Sequence, residues 1–218
     1  MKERPVIFNG EMVRAILDGR KTQTRRVMKP QPEPCYRGGH WWPSNAFKTM
    51  LHIEEQMQNG QGGWKGLAGY ACPFGRVGDR MWVRETFMDL TGTCIEATTG
   101  KFEGFAYRAD TPTGSYGDEV RKEYGLKWAP SLHMPRKACR ILLEITAVRV
   151  ERLNDISDGD AISEGCSISD MKSGDCVADV FARLWSSIYG VDSWNANPWV
   201  WVIEFRRVGD SAREVERE

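Results

Sequence analysis

The segment Arg20-Lys21-Thr22-Gln23-Thr24-Arg25-Arg26 places four cations and two hydroxyls within seven residues, with no acid between them. A threonine hydroxyl is a weak nucleophile until a base takes its proton. Lysine can be that base only when its pKa falls, and neighbouring cations and burial both lower it. In a regular strand, positions 21 and 24 face opposite sides, so Lys21 and Thr24 meet only where the chain bends. The sequence leaves two other readings of the segment open. One is a solvated basic turn after a helix; the other is a contact for an anion or a nucleic acid.

Two acids accompany this segment. Glu85 lies in the apolar run Met81-Trp82-Val83-Arg84-Glu85-Thr86-Phe87, and Glu164 ends a short helix just before Gly165. Either reads as a reacting carboxylate or as an ordinary solvent-facing one. His133, in Ser131-Leu132-His133-Met134-Pro135-Arg136, reads as an imidazole bonded to backbone or as a contact at a pocket rim. His40, His52 and His133 form no HxH, HxxxH or HExxH pattern and no cysteine cluster supports them, so no metal is expected. No Walker-type loop, convincing GxGxxG or GxSxG elbow occurs. No cofactor is expected.

The elements that must position these residues follow from periodicity. Asn9 caps a helix carrying Met12, Val13, Ile16 and Leu17, which Gly19 ends. Strands are expected at 81–87, 105–107, 140–150 and 199–205. Ser157 and Asp160 form a capping box for a short helix that stops near Gly165. Val177, Val180, Phe181, Leu184, Trp185 and Ile188 define an amphipathic helix over 175–189. The Gly-, Pro- and Asn-rich stretch 31–76 and the polar stretch 91–130 read as long insertions, the first with a short helix near 46–58. The charged tail 209–218 reads as frayed.

The 218 residues carry 30 Lys and Arg against 30 Asp and Glu, which argues against a protein that coats nucleic acid non-specifically. Nine Trp and eight Phe supply a core and exclude general disorder. No apolar run approaches a membrane span and the N-terminus lacks a secretion signal, so a cytoplasmic protein is expected. The cysteines at 35, 72, 94, 139, 166 and 176 are irregularly spaced, with no CxxC, and read as free thiols.

Together these residues resemble ASCH-domain proteins. The run Ile16-Leu17-Asp18-Gly19-Arg20-Lys21-Thr22-Gln23-Thr24-Arg25 resembles that family's opening motif, an apolar helix leading into G-x-K-T-x-T-x-R. Residues 153–165 resemble its second motif, and Asn197-Pro198 through Phe205 its last strand. The 78–87 segment and His133-Met134-Pro135-Arg136 look like phage and prophage members, whose setting is a bacterial or phage-infected host cell. The resemblance covers about two-thirds of the chain.

The resemblance implies an α+β fold: a small PUA-like β-barrel with packed helices, here one domain over 1–208 with insertions at 31–76 and 91–130. One branch of the family hydrolyses N4-acetylcytidine to cytidine and acetate without a metal. By analogy Lys21 is the base, Thr24 the nucleophile and Glu164 a proton carrier. Arg25 or Arg26 holds the substrate or oxyanion, and Arg84, Glu85 and His133 are further substrate contacts. The implied partner is an acylated nucleoside or RNA, with no membrane. Two alternatives stay open. One is an RNA-binding module or ribonuclease using the basic turn, with Trp41, Trp42 and Trp64 stacking on bases. The other is a phage interaction or assembly protein without catalysis.

Overall fold

The computed structural model describes residues 1–58, 67–92 and 104–209. The expectations for Trp64, Cys94 and nearly all of the charged tail lie outside them. In chain order the elements are β1 (Glu3–Ile7), α1 (Gly10–Leu17), β2 (Gln23–Val27), β3 (Glu33–Pro34), β4 (His40–Ser44) and β5 (Thr49–His52). Then come a π-helix at Ile53–Gln58, α2 (Leu67–Ala71), β6 (Arg80–Arg84), β7 (Phe87–Asp89), β8 (Phe105–Tyr107) and α3 (Tyr116–Glu123). The chain ends with β9 (Leu142–Arg152), α4 (Asp158–Ser163), α5 (Val177–Tyr189), α6 (Val191–Asn195) and β10 (Trp199–Arg207). This is a mixed α+β chain. Its contacts divide it into two compact units: Met1–Lys2 with Arg20–Arg80 and Glu144–Arg206, and Glu3–Gly19 with Met81–Leu143 and Arg207–Glu218.

The first unit is built on β10. Strand β2 pairs antiparallel to it, Gln23 opposite Glu204, Thr24 opposite Ile203, Arg25 opposite Val202 and Val27 opposite Val200. Strand β9 flanks β10 on its other side. Residues directly opposite share a face. Val200 and Val202 therefore join Phe181, Val180 and Trp185 of α5 and Ala161 of α4 in one core. Trp201 lies at the alternate positions and meets Trp42 of β4 edge-on, with ring centroids 5.3 Å apart. Both faces of β10 are thus buried, which explains why its sequence runs almost unbroken in apolar residues. Trp42 also donates its indole N–H to the Pro30 carbonyl at 3.1 Å. The 31–58 stretch forms a small antiparallel sheet, β3-β4-β5. The short helix expected near 46–58 is confined to the π-helix at its end, after strand β5.

Local signals set the helix ends. Asn9 Oδ1 accepts the Met12 N–H at 2.8 Å, and Gly19 takes φ +75°, a conformation that glycine adopts without cost. Ser157 Oγ accepts the Asp160 N–H at 3.1 Å at the start of α4. Cys176 and Asp179 form a capping box for α5.

In the second unit, β1 lies beside β6 and β7 pairs with β8. Phe87, Met134 and Ala138 make one small core; Met88, Leu90 and Ala106 make another. The single strand expected over 81–87 is broken: β6 ends at Arg84 and β7 begins at Phe87, so Glu85 sits at the break rather than inside a strand. Among the described residues, the strands of each unit form open sheets, not the closed barrel expected from the resemblance.

Candidate functional site

The basic segment is not a solvated turn. Phe205 donates its N–H to the Thr22 carbonyl at 2.8 Å, and β2 continues the pairing from Gln23. Lys21, just before β2, makes an antiparallel bridge with Glu164, which caps the C-terminal end of α4. Lys21, Gln23 and Arg25 alternate along this extended run and so face the same side, towards α4 and α5.

Lys21 Nζ donates to Glu164 Oε2 at 2.6 Å and to the Glu164 carbonyl at 2.9 Å. Arg25 Nη1 donates to the other carboxylate oxygen, Oε1, at 3.2 Å. Its Nη2 pairs with Glu151 and lies 3.5 Å from Asp160. The Arg25 guanidinium also rests over the Phe181 ring, 5.7 Å from its centroid. Beyond Arg25, Gln23 donates to Asp160 Oδ1 at 3.0 Å, and Arg149 joins Asp160 at 2.6 Å, Glu151 at 3.1 Å and Glu204. Lys21, Arg25 and Arg149 thus face Glu164, Glu151, Asp160 and Glu204.

Burial sharpens this arrangement. The Lys21 and Arg25 side chains have no exposed surface, and Glu164 is 4% exposed. Burial pulls the Lys21 pKa below its ordinary value, against the attraction and hydrogen bond of Glu164. Burial alone would raise Asp160. The hydrogen bonds from Gln23 and Ser157 and the charges of Arg149 and Arg25 outweigh it, and the carboxyl falls to about 2. Cys166 nearby is pushed up to about 11, by burial first and by the Glu164 charge second. That thiol is a core residue, not a nucleophile.

Thr24 is also buried, opposite Ile203 on β10. Alternation puts it with Arg26 on the face of β2 away from Arg25 and Glu164. Lys21, Arg25 and Glu164 are therefore brought together, while Thr24 and Arg26 occupy the other side of the strand. The other expected residues belong to the second unit. Arg84 donates to the Met134 and Leu132 carbonyls and lies over Trp82. His133 is exposed. Glu85 is 1% exposed and takes two hydrogen bonds from Arg140, at 2.8 and 3.0 Å.

Glu151 and Arg149 are not singled out by the sequence, and Asp160 only as part of a helix cap. The alternation Arg149-Glu151 along a strand, together with a capping acid at Asp160, was the available signal. It looks like any solvent-facing charge pattern until β9 is seen beside α4. Among the described residues, no group of three or more His, Cys, Asp or Glu side chains is placed to hold a metal ion, and no helix is long and apolar enough to cross a membrane. No family model, curated protein or solved structure matches this chain, so the likeness to ASCH-domain proteins stands on the quoted residues.

Proposed function

We propose that the chain is a metal-independent amidohydrolase acting on an acylated pyrimidine nucleoside or base of the N4-acetylcytidine type. The observation that carries this reading is the 2.6 Å contact between Lys21 and Glu164, with Arg25 on the second carboxylate oxygen. A lysine whose pKa is lowered by burial gives up its proton more readily than a free lysine, and a carboxylate holding its amine positions it for proton transfer. Arg25 is committed to Glu164 and Glu151, so its task is to hold the carboxylate. Arg26 shares the Thr24 face, so it takes the oxyanion role on the route with Thr24 as nucleophile.

The reaction balances on these residues. Neutral Lys21 accepts the proton of the attacking hydroxyl, and the oxygen adds to the acyl carbonyl. The tetrahedral adduct collapses as the Lys21 ammonium protonates the departing amine, giving cytidine. With Thr24 as nucleophile, an acyl ester remains; water, deprotonated by Lys21, then releases acetate and restores the threonine. The opposed faces of Thr24 and Lys21 make a water molecule the competing nucleophile, with acetate then formed in one step. Because the pair is buried, turnover includes an opening step that admits substrate.

Binding of RNA through the basic segment has less support. A phosphate site needs uncompensated cations, whereas Lys21 and Arg25 are buried against carboxylates.

The test is cytidine release from N4-acetylcytidine by the purified chain and by Lys21→Met, Glu164→Gln and Thr24→Ala. Loss in the first two, with folding retained, supports the reading. Activity surviving Thr24→Ala assigns the attack to water, and activity surviving Lys21→Met overturns the site.

A further inference from the structure

The second unit contains a cavity of about 710 Å3, lined by residues from the start of α1, from the β6–β7 break and from the 108–113 turn. Its walls bear the charged residues Glu11, Arg14, Glu85 and Arg108 with the hydroxyls of Thr86, Thr111 and Thr113; among the described residues, no aromatic side chain lines it. That volume suits a small molecule, and the described walls hold no aromatic ring for a flat base to stack on.

The charges around the cavity sum to zero, with Glu11, Glu85 and Asp110 against Arg14, Arg108 and Arg140, but they are not all paired. Glu85 and Asp110 share one cation, Arg140, which bonds both oxygens of each carboxylate and lies over the Tyr107 ring, 4.0 Å from its centroid. Two carboxylates on one guanidinium leave one net negative charge. Each Glu85 oxygen spends one acceptor position on Arg140 and keeps another. A buried carboxylate short of partners is costly unless something cationic completes it. Burial raises the Glu85 pKa against the pull of Arg140, the sign of an incompletely compensated charge.

The arginines have the opposite lack. Arg14 donates to the Ala109 carbonyl at 3.1 Å, but among the described residues neither Arg14 nor Arg108 has a carboxylate partner. Glu85 is fixed from behind by Arg140, whereas Arg14 and Arg108 stand in exposed positions on the same cavity. Among the described residues, the cavity therefore carries one buried carboxylate with acceptor positions to spare and two arginines without a carboxylate partner.

We propose that this cavity binds a small non-aromatic zwitterion, its ammonium or amidinium group at Glu85 and its carboxylate or phosphate at Arg14 and Arg108. The site is independent of Lys21 and Glu164, and its occupancy is read by binding rather than by hydrolysis.

Isothermal titration of the full chain tests it with two zwitterions, alanyl-alanine for a carboxylate and O-phosphoethanolamine for a phosphate. Inorganic phosphate, N-acetyl-alanyl-alanine and alanyl-alanine amide are the single-charge controls. At least one zwitterion should bind about tenfold more tightly than its single-charge controls. Arg108→Ala, an exposed change that removes no ion pair, should weaken it about tenfold. Glu85→Gln should abolish the preference for the free amine over the N-acetyl form. The arm that binds identifies the anion. No binding of either zwitterion at about 10 mM, beyond the weakest affinities that matter for such a ligand, or an unchanged affinity in Arg108→Ala, overturns the proposal.

Discussion

Lys21 Nζ and Glu164 Oε2 stand 2.6 Å apart, with no exposed surface on the lysine side chain and almost none on the carboxylate. Two chain segments separated by more than 140 residues are joined there by a charge pair and by a backbone bridge between the same residues. A pair held so firmly serves as a fastening for α4 whether or not it also turns over substrate.

The fastening has a measurable strength. Removing one partner of a buried pair leaves the other charge uncompensated and costs about 3–5 kcal/mol. Glu164→Gln should lose about that much in urea denaturation. The pair Arg149–Glu204 is partly exposed, and exposed pairs contribute roughly 0–1 kcal/mol. Glu204→Gln should therefore change stability far less. Equal losses would show that α4 is not held by the buried pair.

Arg25 separates structural from phosphate-binding roles. It bonds Glu164 and Glu151 with no exposed surface. Arg25→Gln should destabilise by about 3 kcal/mol or more. At a temperature where the variant is still folded, its affinity for a uridine oligomer, followed by fluorescence anisotropy, should equal that of the parent chain. Weakened binding with unchanged stability would return the basic segment to nucleic-acid recognition.

Acid stability should follow Asp160. Its folded pKa of about 2 lies below the ordinary value of 3.8. The stability this carboxylate contributes is present above pH 3.8 and is lost as pH falls through 2. Lys21 gives the same sign of slope in the alkaline range: its lowered pKa means the unfolded chain holds the proton more tightly, so stability rises as alkaline pH relieves the buried charge. Thermal melts of Asp160→Asn should lose most of the steepening between pH 4 and pH 2; an unaltered profile would remove Asp160 from the network.

Thiol chemistry gives a fourth check. Cys176 is exposed, whereas Cys72 and Cys166 are buried and the Cys166 thiol is held at about 11. A disulfide reagent at pH 8 should label Cys176, which is exposed although its bond to Asp179 raises its thiol, well before Cys166, which it should reach only with unfolding. Fast labelling of Cys166 would mean that the Lys21 surroundings open readily.

The local features of the fold were legible because they depend on short-range chemistry. The Asn9 and Ser157 caps, the α5 stripe and the β10 run each follow from neighbouring residues, and each is present. The break at Glu85 was not legible, because the apolar alternation continues through it; the side chain turns to Arg140, 55 residues away. The open sheet also escaped, since strand closure depends on pairings that no single segment encodes. For the site, the spacing of positions 21 and 24 already implied opposite faces in a strand. What the spacing could not supply was the strand itself, which depends on β10.

The most direct measurement is the pH dependence of kcat/KM for cytidine release from N4-acetylcytidine. With Lys21 as general base, the rate should rise with pH and level off at an apparent pKa below 10.5, because burial lowers that of the free lysine. Lys21→Arg, which keeps the charge but cannot give up its proton, should abolish the rise. A pH-independent rate, or no cytidine release from the folded parent chain, would contradict the proton-transfer role of the Lys21–Glu164 pair.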